Sequence, residues 1–240
     1  MGTLKQFYRN VLQNRVSFVT GTNEERIPAL ELESHLTTVT YGGFTLTDAV
    51  RPSLDLKIIP EEGYKHDKIK LEYGRMGYKN FRRLIPILVA SVSLERLFET
   101  FLAMLNPLGD HVSVALETSH CHSGTIRTDL HREHIDLPVL KSFLYDHEDL
   151  LLHDGCTGIS VESPKMRAEV RLDEHKLIIV YARQIASFEK ILRRHRIPHK
   201  ETMPLLTEAE HVHITRDEYF HSFKTLQTAL GMDGSYTAVR

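Results

Sequence analysis

The sequence predicts an α+β fold, with an antiparallel or mixed sheet and helices packed mainly on one face. Predicted strands come in groups of two or three between helices, without the strict strand–helix alternation of parallel α/β folds. The composition, 41% hydrophobic and 26% charged residues, is typical of a globular protein with a substantial core. Clear changes between helical and strand periodicity along the chain place the individual elements.

The N-terminal half begins with a predicted helix at 4–14, where apolar residues line one side. Strands are predicted at 35–41, 53–59 and 67–73, with turn clusters between them. The clearest helix follows, because six apolar residues at helical spacing form a single stripe. They are Leu94, Leu97, Phe98, Phe101, Leu102 and Leu105, and the sequence Asn106-Pro107-Leu108-Gly109 ends the helix.

The middle of the chain predicts two strands and one helix. A strand at 112–118 alternates apolar and polar residues, and a second strand lies within 126–135. Asp136, with Pro138 two residues later, favours the start of a helix. The inward-facing residues of this helix are Leu140, Phe143, Leu144 and Leu151, and Asp154-Gly155 ends it.

The C-terminal part predicts strands at 157–162, 167–172 and 176–181, the last two joined as a hairpin around Asp173-Glu174-His175. A helix at 184–195 carries an apolar face. The final helix is predicted from a capping box, Thr215 with Glu218. Its stripe is Tyr219, Phe223, Leu226 and Leu230, with Gly231 as the C′ residue and 232–240 as a loose tail.

Residues 1–231 are predicted to form one α+β domain, with two lobes split near 106–110 as the alternative. A net charge of −2 argues against a polycation that binds nucleic acid or an anionic membrane. The two cysteines are too few for a disulfide framework and suit a reducing compartment. The longest apolar run, 84–92, is too short to span a bilayer. We therefore expect a cytoplasmic protein without membrane association.

Histidine is the unusual feature of the composition, with 15 residues that fall mostly in the C-terminal half. Two His-x-His pairs, His120/His122 and His211/His213, each place two imidazoles on one side of a strand. The second pair alternates with Val212 and is expected to point to solvent. The first pair continues the core-facing side of the strand at 112–118, which makes it the stronger candidate for a metal site.

A two-residue turn at Ser123-Gly124 would complete this candidate by placing Leu116 opposite His131. One face of the hairpin then holds four predicted ligands for Zn²⁺, Mn²⁺ or Fe²⁺ and a general base. The ligands are His120, His122, Asp129 and His131, and the base is Glu133. A three-residue turn would instead put Thr128, Leu130 and Arg132 on that face, which leaves these groups as polar residues at the end of a hairpin.

A second candidate is Cys156, which lies in the polar turn 153–158 near His153. A cysteine close to a histidine and to main-chain N–H groups can act as an activated nucleophile. The alternative is a small buried cysteine that begins a strand after a helix end at Gly155.

A third candidate is the basic stretch at the end of the helix 184–195. Positive charge at a helix C-terminus complements the helix dipole, and Glu189 can pair with Arg193 one turn later. The stretch could also contact phosphates, but no aromatic residue is interleaved for stacking. Its members are Lys190, Arg193, Arg194, His195, Arg196, His199 and Lys200.

The sequence contains no phosphate-binding loop, no nucleophile elbow, no H-E-x-x-H and no C-x-x-C. We therefore interpret the chain as a non-catalytic binding or self-associating module, whose partner is a protein or a second copy rather than nucleic acid. The alternative is a metal-dependent hydrolase built on the 112–135 hairpin. A third hypothesis is a pH-responsive regulator, in which histidines change charge between about pH 7 and 5.

Overall fold

A computed structural model describes residues 39–52, 59–71, 83–120, 128–208, 211–232 and 237–238 of the protein. The predicted helix at 4–14 lies outside these residues. Almost all of the predicted strand at 53–59 also lies outside them. Of the predicted strand at 35–41, the described part contains Thr40–Tyr41 as a short strand, followed by a turn at Gly42 and Gly43.

The described part of the chain contains twelve strands. Eight of them form one sheet, in the order β12-β7-β6-β8-β9-β10-β5-β4, and every neighbouring pair is antiparallel. The strands are β1 Thr40–Tyr41, β2 Phe44–Thr45, β3 Val50–Pro52, β4 Gly63–Leu71, β5 Arg83–Ser91, β6 His111–Thr118, β7 Thr128–Asp136, β8 Thr157–Ser163, β9 Ala168–Leu172, β10 Ile178–Ala182, β11 His211–His213 and β12 Thr237–Ala238. The large sheet includes strands from both sides of 106–110.

Five α-helices are described, and buried residues from all of them join the central strands in one hydrophobic core. The predicted apolar stripe of the first helix lies in this core, where Leu97, Phe101 and Leu105 are fully buried. The α+β fold class is thereby confirmed. The helices are α1 Leu94–Met104, α2 Leu137–Asp146, α3 Glu148–His153, α4 Ala186–Arg194 and α5 Asp217–Ala229.

The apolar run at 84–92 is largely strand β5, and its residues from Ile87 to Val92 are buried. Alternate residues of β5 contribute to two clusters: Leu88 and Ala90 to the main core, and Ile87 and Val89 to a smaller one with Met203 and Leu205. The folded chain therefore buries this apolar run in its own hydrophobic clusters. No helix within the described ranges is both long and apolar enough to cross a bilayer.

Two details of the predicted helices need correction. The helix that starts after Asp136 is two helices, α2 and α3, because His147 between them leaves helical geometry at φ −125°. The capping box at Thr215 and Glu218 is wrong. Arg216 occupies the N-cap position of α5 without a side-chain cap, whereas the hydroxyl of Thr215 contacts the imidazole of His120.

Strands β3 and β11 form a separate two-stranded antiparallel sheet in which Val50 lies opposite His213. Main-chain hydrogen bonds anchor this small sheet to the segment after α3. The amide of Ile214 donates to the carbonyl of Ala49 at 2.9 Å, and the amide of Gly155 donates to the carbonyl of Ile214 at 2.7 Å. The small sheet thereby lies against the start of β8 in the main sheet.

Candidate metal centre

The predicted metal hairpin has a different register from the one expected. Leu116 pairs with Leu130 instead of His131. A one-residue shift in register moves side chains to the opposite face of a sheet. His131 therefore lies opposite Ala115, and its side chain is exposed. The predicted register is wrong, and Leu116 and His131 do not share a face.

The other residues of the predicted hairpin site are only partly covered by the described residues. His122 lies outside the described residues, as does the side chain of Asp129. Glu133 is exposed, next to the β-bulge at which His134 takes a positive φ of 54°. The structure therefore does not place Glu133 and His131 beside the buried imidazole of His120.

His120 is instead part of a buried ion pair with Asp154. The two side chains are 3% and 0% exposed, and Nε2 of His120 lies 3.2 Å from Oδ2 of Asp154. Both ring nitrogens of His120 also contact hydroxyls, of Thr118 at 2.6 Å and of Thr215 at 3.1 Å. Burial alone would raise the pKa of Asp154, but the hydrogen bond and charge of His120 outweigh it, and the pKa is lowered. We interpret this pair as a structural link between β6, α3 and α5.

The surroundings of Cys156 are those of a protonated thiol. Burial, together with the charges of Asp154 and Glu174, raises the pKa of Cys156 to about 11. An activated nucleophile needs a lowered pKa. The sulfur of Cys156 lies within 4.8 Å of the ligand atoms of His120 and Asp154, and these three residues form a second group that could hold a metal ion. Within that set the imidazole of His120 and the carboxylate of Asp154 already pair with each other, and the main-chain amide of Cys156 donates to the same carboxylate at 3.3 Å.

Three histidines converge where the β9–β10 turn meets the small sheet. His175 belongs to the turn, and His211 and His213 are alternate residues of β11. Their ring centroids lie 4.7 to 5.2 Å apart, and one nitrogen from each ring lies within 4.8 Å of the other two. The side chain of His175 is 8% exposed, and His211 is 6% exposed. The cluster is therefore a shielded group of three imidazoles.

Hydrogen bonds fix the proton position in two of these rings. Nδ1 of His213 lies 2.7 Å from the carbonyl oxygen of Gly155, which can only accept, so this nitrogen carries the proton. Nδ1 of His175 likewise donates to the carboxylate of Asp173 at 3.0 Å. In a neutral imidazole the lone pair then lies on Nε2, the nitrogen that a metal ion would bind.

The Nε2 atoms of this cluster are closed off from solvent. Those of His175 and His213 make no hydrogen bond within the described part of the chain, and Nε2 of His211 is also inaccessible to water. A buried polar atom without a partner costs about 1–3 kcal/mol. Two such atoms lie in neighbouring rings of this cluster, whose centroids are 4.7 Å apart.

Burial keeps the imidazole of His213 neutral, and Asp173 orients the ring of His175. Burial, followed by the nearby His175, lowers the pKa of His213 to about 4. Burial alone would raise the pKa of Asp173, but the charge and hydrogen bond of His175 reverse this effect and lower it to about 2. Asp173 also accepts the main-chain amides of His175 and Leu177, so it fixes both the turn and the ring.

A buried lysine, Lys176, and a buried glutamate, Glu174, also lie in the turn that contains His175. Burial lowers the pKa of Lys176 to about 8, although Asp154, Asp173 and Glu174 oppose this effect. Its ammonium donates to the carbonyl of Thr157 at 2.9 Å. Glu174 is 7% exposed, and its negative charge also acts on His213.

Comparison with family models, with curated proteins and with solved structures gives no match to this chain. The geometry of the three-histidine cluster is therefore the basis for the functional argument.

The expectation that His211 and His213 point to solvent is wrong, because the alternation of β11 is the reverse of the expected one. Val212 is 49% exposed, whereas His211 is buried and His213 is half-buried. The His-x-His spacing itself predicted that the two rings share one side, and they do. His175 was visible in the sequence only as a turn residue, since its approach to β11 depends on the tertiary fold.

Proposed function

We propose that this protein binds one divalent transition-metal ion through His175, His211 and His213. The observation that carries the proposal is the pair of buried Nε2 atoms, on His175 and His213, that make no hydrogen bond within the described residues. Imidazole nitrogen suits Zn²⁺, Cu²⁺, Ni²⁺ and Fe²⁺, and four-coordinate sites with histidine ligands are typical of Zn²⁺. The proposal retains a binding function and moves the metal hypothesis from the 112–135 hairpin to this cluster.

The outer contacts support a metal site because they match what metal-binding histidines require. Such histidines donate their second ring N–H to a carboxylate or a main-chain carbonyl, which orients the ring. Asp173 has this position for His175, and Gly155 has it for His213. In tetrahedral coordination, nitrogens about 2.0–2.1 Å from Zn²⁺ lie about 3.3 Å apart. One nitrogen of each ring lies within 4.8 Å of the other two, so the rings must move closer together to reach this separation.

The cavity beside the cluster favours binding over catalysis. It borders His175 and Lys176 and has a volume of about 20 Å³. This volume holds one water molecule but no organic substrate, and of the three histidines only His175 lines it. We therefore propose a non-catalytic metal-binding protein, in which the ion ties the small sheet to the β9–β10 turn.

Metal content of untagged protein, purified without chelator and measured by elemental mass spectrometry, tests this proposal. We expect about one equivalent per chain, and ligand-field bands of tetrahedral Co²⁺ after substitution. His175→Ala and His213→Ala should each lose the ion. His221→Ala is the matched control, since this exposed histidine on α5 bonds only its own helix carbonyl at Asp217.

A second experiment distinguishes a metal site at this cluster from one at the predicted hairpin. The His120→Ala/His122→Ala double variant should retain about one equivalent of metal under the proposal. Loss of metal in this double variant, with full retention in His213→Ala, would contradict the proposal and return the site to the hairpin. Absence of metal after loading with excess Zn²⁺ would also contradict it.

A metal-dependent hydrolase is a second candidate function, and it is supported by the number of histidine ligands. Three histidine ligands leave a coordination position for water, as in catalytic zinc sites, and the buried carboxylate of Glu174 acts electrostatically on His213. This function predicts that Zn²⁺-loaded protein hydrolyses p-nitrophenyl acetate faster than the Glu174→Gln variant at equal metal content. Equal rates in the two proteins would dismiss it.

A further inference from the structure

A cleft of about 500 Å³ lies between the edge strand β4 and the end of helix α4, apart from the three-histidine cluster. Residues 198–200 close one side of it, because the amide of Tyr64 donates to the carbonyl of Pro198 and the amide of Lys200 donates to the carbonyl of Tyr64, both at 2.9 Å. The lining residues are Tyr64, His66, Glu189, Arg193, Arg196, Ile197, Pro198 and His199.

Two guanidinium groups line this cleft with their charges unneutralised. Arg193 and Arg196 are exposed, and neither has an acidic partner within the described part of the chain. The expected pairing of Glu189 with Arg193 is not the one observed, since Glu189 instead accepts from Nε2 of His66 at 2.9 Å. The carboxylate in the cleft is therefore paired with an imidazole, and both arginines are available to an anion.

Three rings also line the cleft, two of them from outside the basic stretch. His66 and Tyr64 come from β4, and His199 follows α4 in the chain. The rings of His66 and His199 lie 4.8 Å apart at 36°, and Tyr64 lies 5.1 Å from His199. The basic stretch contains no interleaved Phe, Tyr or Trp, but the fold adds the rings of Tyr64 and His66 to the cleft that Arg193 and Arg196 line.

We propose that this cleft binds a nucleoside monophosphate, with the phosphate on Arg193 and Arg196 and the base against His66 and His199. A guanidinium donates two parallel hydrogen bonds to a phosphate, a geometry that lysine cannot match. Imidazole and aromatic rings stack on bases. Ligand sites for small molecules have volumes of about 300–1,000 Å³, and this cleft lies within that range.

Isothermal titration calorimetry with adenosine monophosphate, adenosine and ribose 5-phosphate tests the two halves of the ligand separately. We expect the nucleotide to bind at least about tenfold more tightly than either fragment, because each fragment lacks one of the two contacts. Binding of ribose 5-phosphate as tight as that of the nucleotide would overturn the role of the rings. Equally tight binding of adenosine would overturn the role of the arginines.

The Arg193→Gln/Arg196→Gln double variant should weaken nucleotide binding by about tenfold or more. Arg194→Gln is the matched control, since this residue is an exposed arginine on the same helical turn and does not line the cleft. Circular dichroism and the melting temperature establish that the variants are folded. Equal weakening in the control would mean general charge attraction and overturn the site.

His199→Ala tests the stacking contact of the base. It should weaken binding of the nucleotide but leave binding of ribose 5-phosphate unchanged. A single-stranded oligonucleotide provides the last comparison. Binding of the oligonucleotide without measurable binding of the mononucleotide would overturn the proposal in favour of a nucleic-acid partner. The absence of any binding at millimolar nucleotide would overturn it outright.

Discussion

Nδ1 of His213 donates a hydrogen bond of 2.7 Å to the carbonyl oxygen of Gly155. This contact joins the small sheet to the segment between α3 and β8, and it fixes which nitrogen of His213 carries a proton. This segment, residues 154–156, also contains Asp154 and Cys156, whose side chains lie close to His120. One short turn therefore supports both buried histidine groups.

Gly155→Ala tests how closely this turn must approach the small sheet. A Cβ at this position would lie 2.2 Å from the carbonyl oxygen of Ala49 and 2.8 Å from the amide of Ile214. The backbone must therefore move, and we expect the free energy of unfolding to fall by about 1–3 kcal/mol. Zn²⁺ affinity should fall with it, because the acceptor of His213 shifts. Urea unfolding and metal titration measure the two effects.

Gly158→Ala provides the control, since a Cβ there meets its nearest atom at 3.5 Å, an ordinary contact distance. A loss of stability in Gly158→Ala as large as that in Gly155→Ala would contradict the steric explanation.

Asp173→Asn tests the orientation of His175. An amide still accepts the main-chain hydrogen bonds of the turn, but its NH₂ group can donate to Nδ1 of His175 and move the ring proton to Nε2. A protonated Nε2 cannot bind a metal ion, so we expect Zn²⁺ affinity to fall by about 10–100-fold. Competition with a chromophoric chelator measures the change. Asp136→Asn is the control, because Asp136 forms an exposed pair with His111; an equal loss in both variants would refute the assignment.

The pKa of His213 predicts how stability depends on pH in the metal-free protein. The ring has a pKa of about 4 when folded and an ordinary value of 6.5 when unfolded. Between these values the unfolded chain binds more protons, so stability falls as the pH is lowered from 6.5 to 4 and levels off below that. The loss amounts to at most about 3 kcal/mol.

Chemical unfolding with chelator present, at pH values from 7 to 4, measures this dependence. We expect His213→Gln to have a shallower slope than the wild type over the same range. Asp173, whose pKa is lowered to about 2, acts below this window and does not affect the comparison. Identical slopes in the two proteins would show that His213 is protonated as readily when folded as when unfolded.

His120→Ala should destabilise the protein without removing its metal. The substitution leaves the fully buried carboxylate of Asp154 without its imidazole partner, and breaking a buried ion pair costs about 3–5 kcal/mol. His111→Ala, which breaks the exposed pair with Asp136, should cost less than about 1 kcal/mol. Thermal unfolding and metal content are the two measurements. A mild effect in His120→Ala would argue against a structural role for the His120–Asp154 pair.

Much of the fold was predictable because local patterns agree with tertiary packing. The apolar stripe of α1 is buried as expected, as are Tyr219 and Phe223 on α5. Gly231 has the positive φ of 63° that a C′ residue requires. The split between α2 and α3 was not predictable from apolar spacing, because Leu144 and Leu151 are buried on both sides of His147.

The candidate metal centre was not predictable from the sequence. Two of its ligands were visible as a His-x-His pair, but alternation with Val212 suggested the wrong face, since a two-stranded sheet at the surface need not bury its apolar side chains. The third ligand, His175, approaches through a hairpin whose position depends on β9 and β10 packing in the main sheet. The register predicted for the 112–135 hairpin was wrong for a simpler reason: it depended on an assumed turn.

The pairing of β3 with β11 joins the beginning of the described chain to a strand close to its end. Such pairing closes a very long loop, which makes it entropically slow and places it late in folding. During synthesis, the main sheet up to β10 can form before residues 211–213 leave the ribosome. His175 therefore meets His211 and His213 only after nearly the whole chain has been made, and the proposed metal site forms only at that stage.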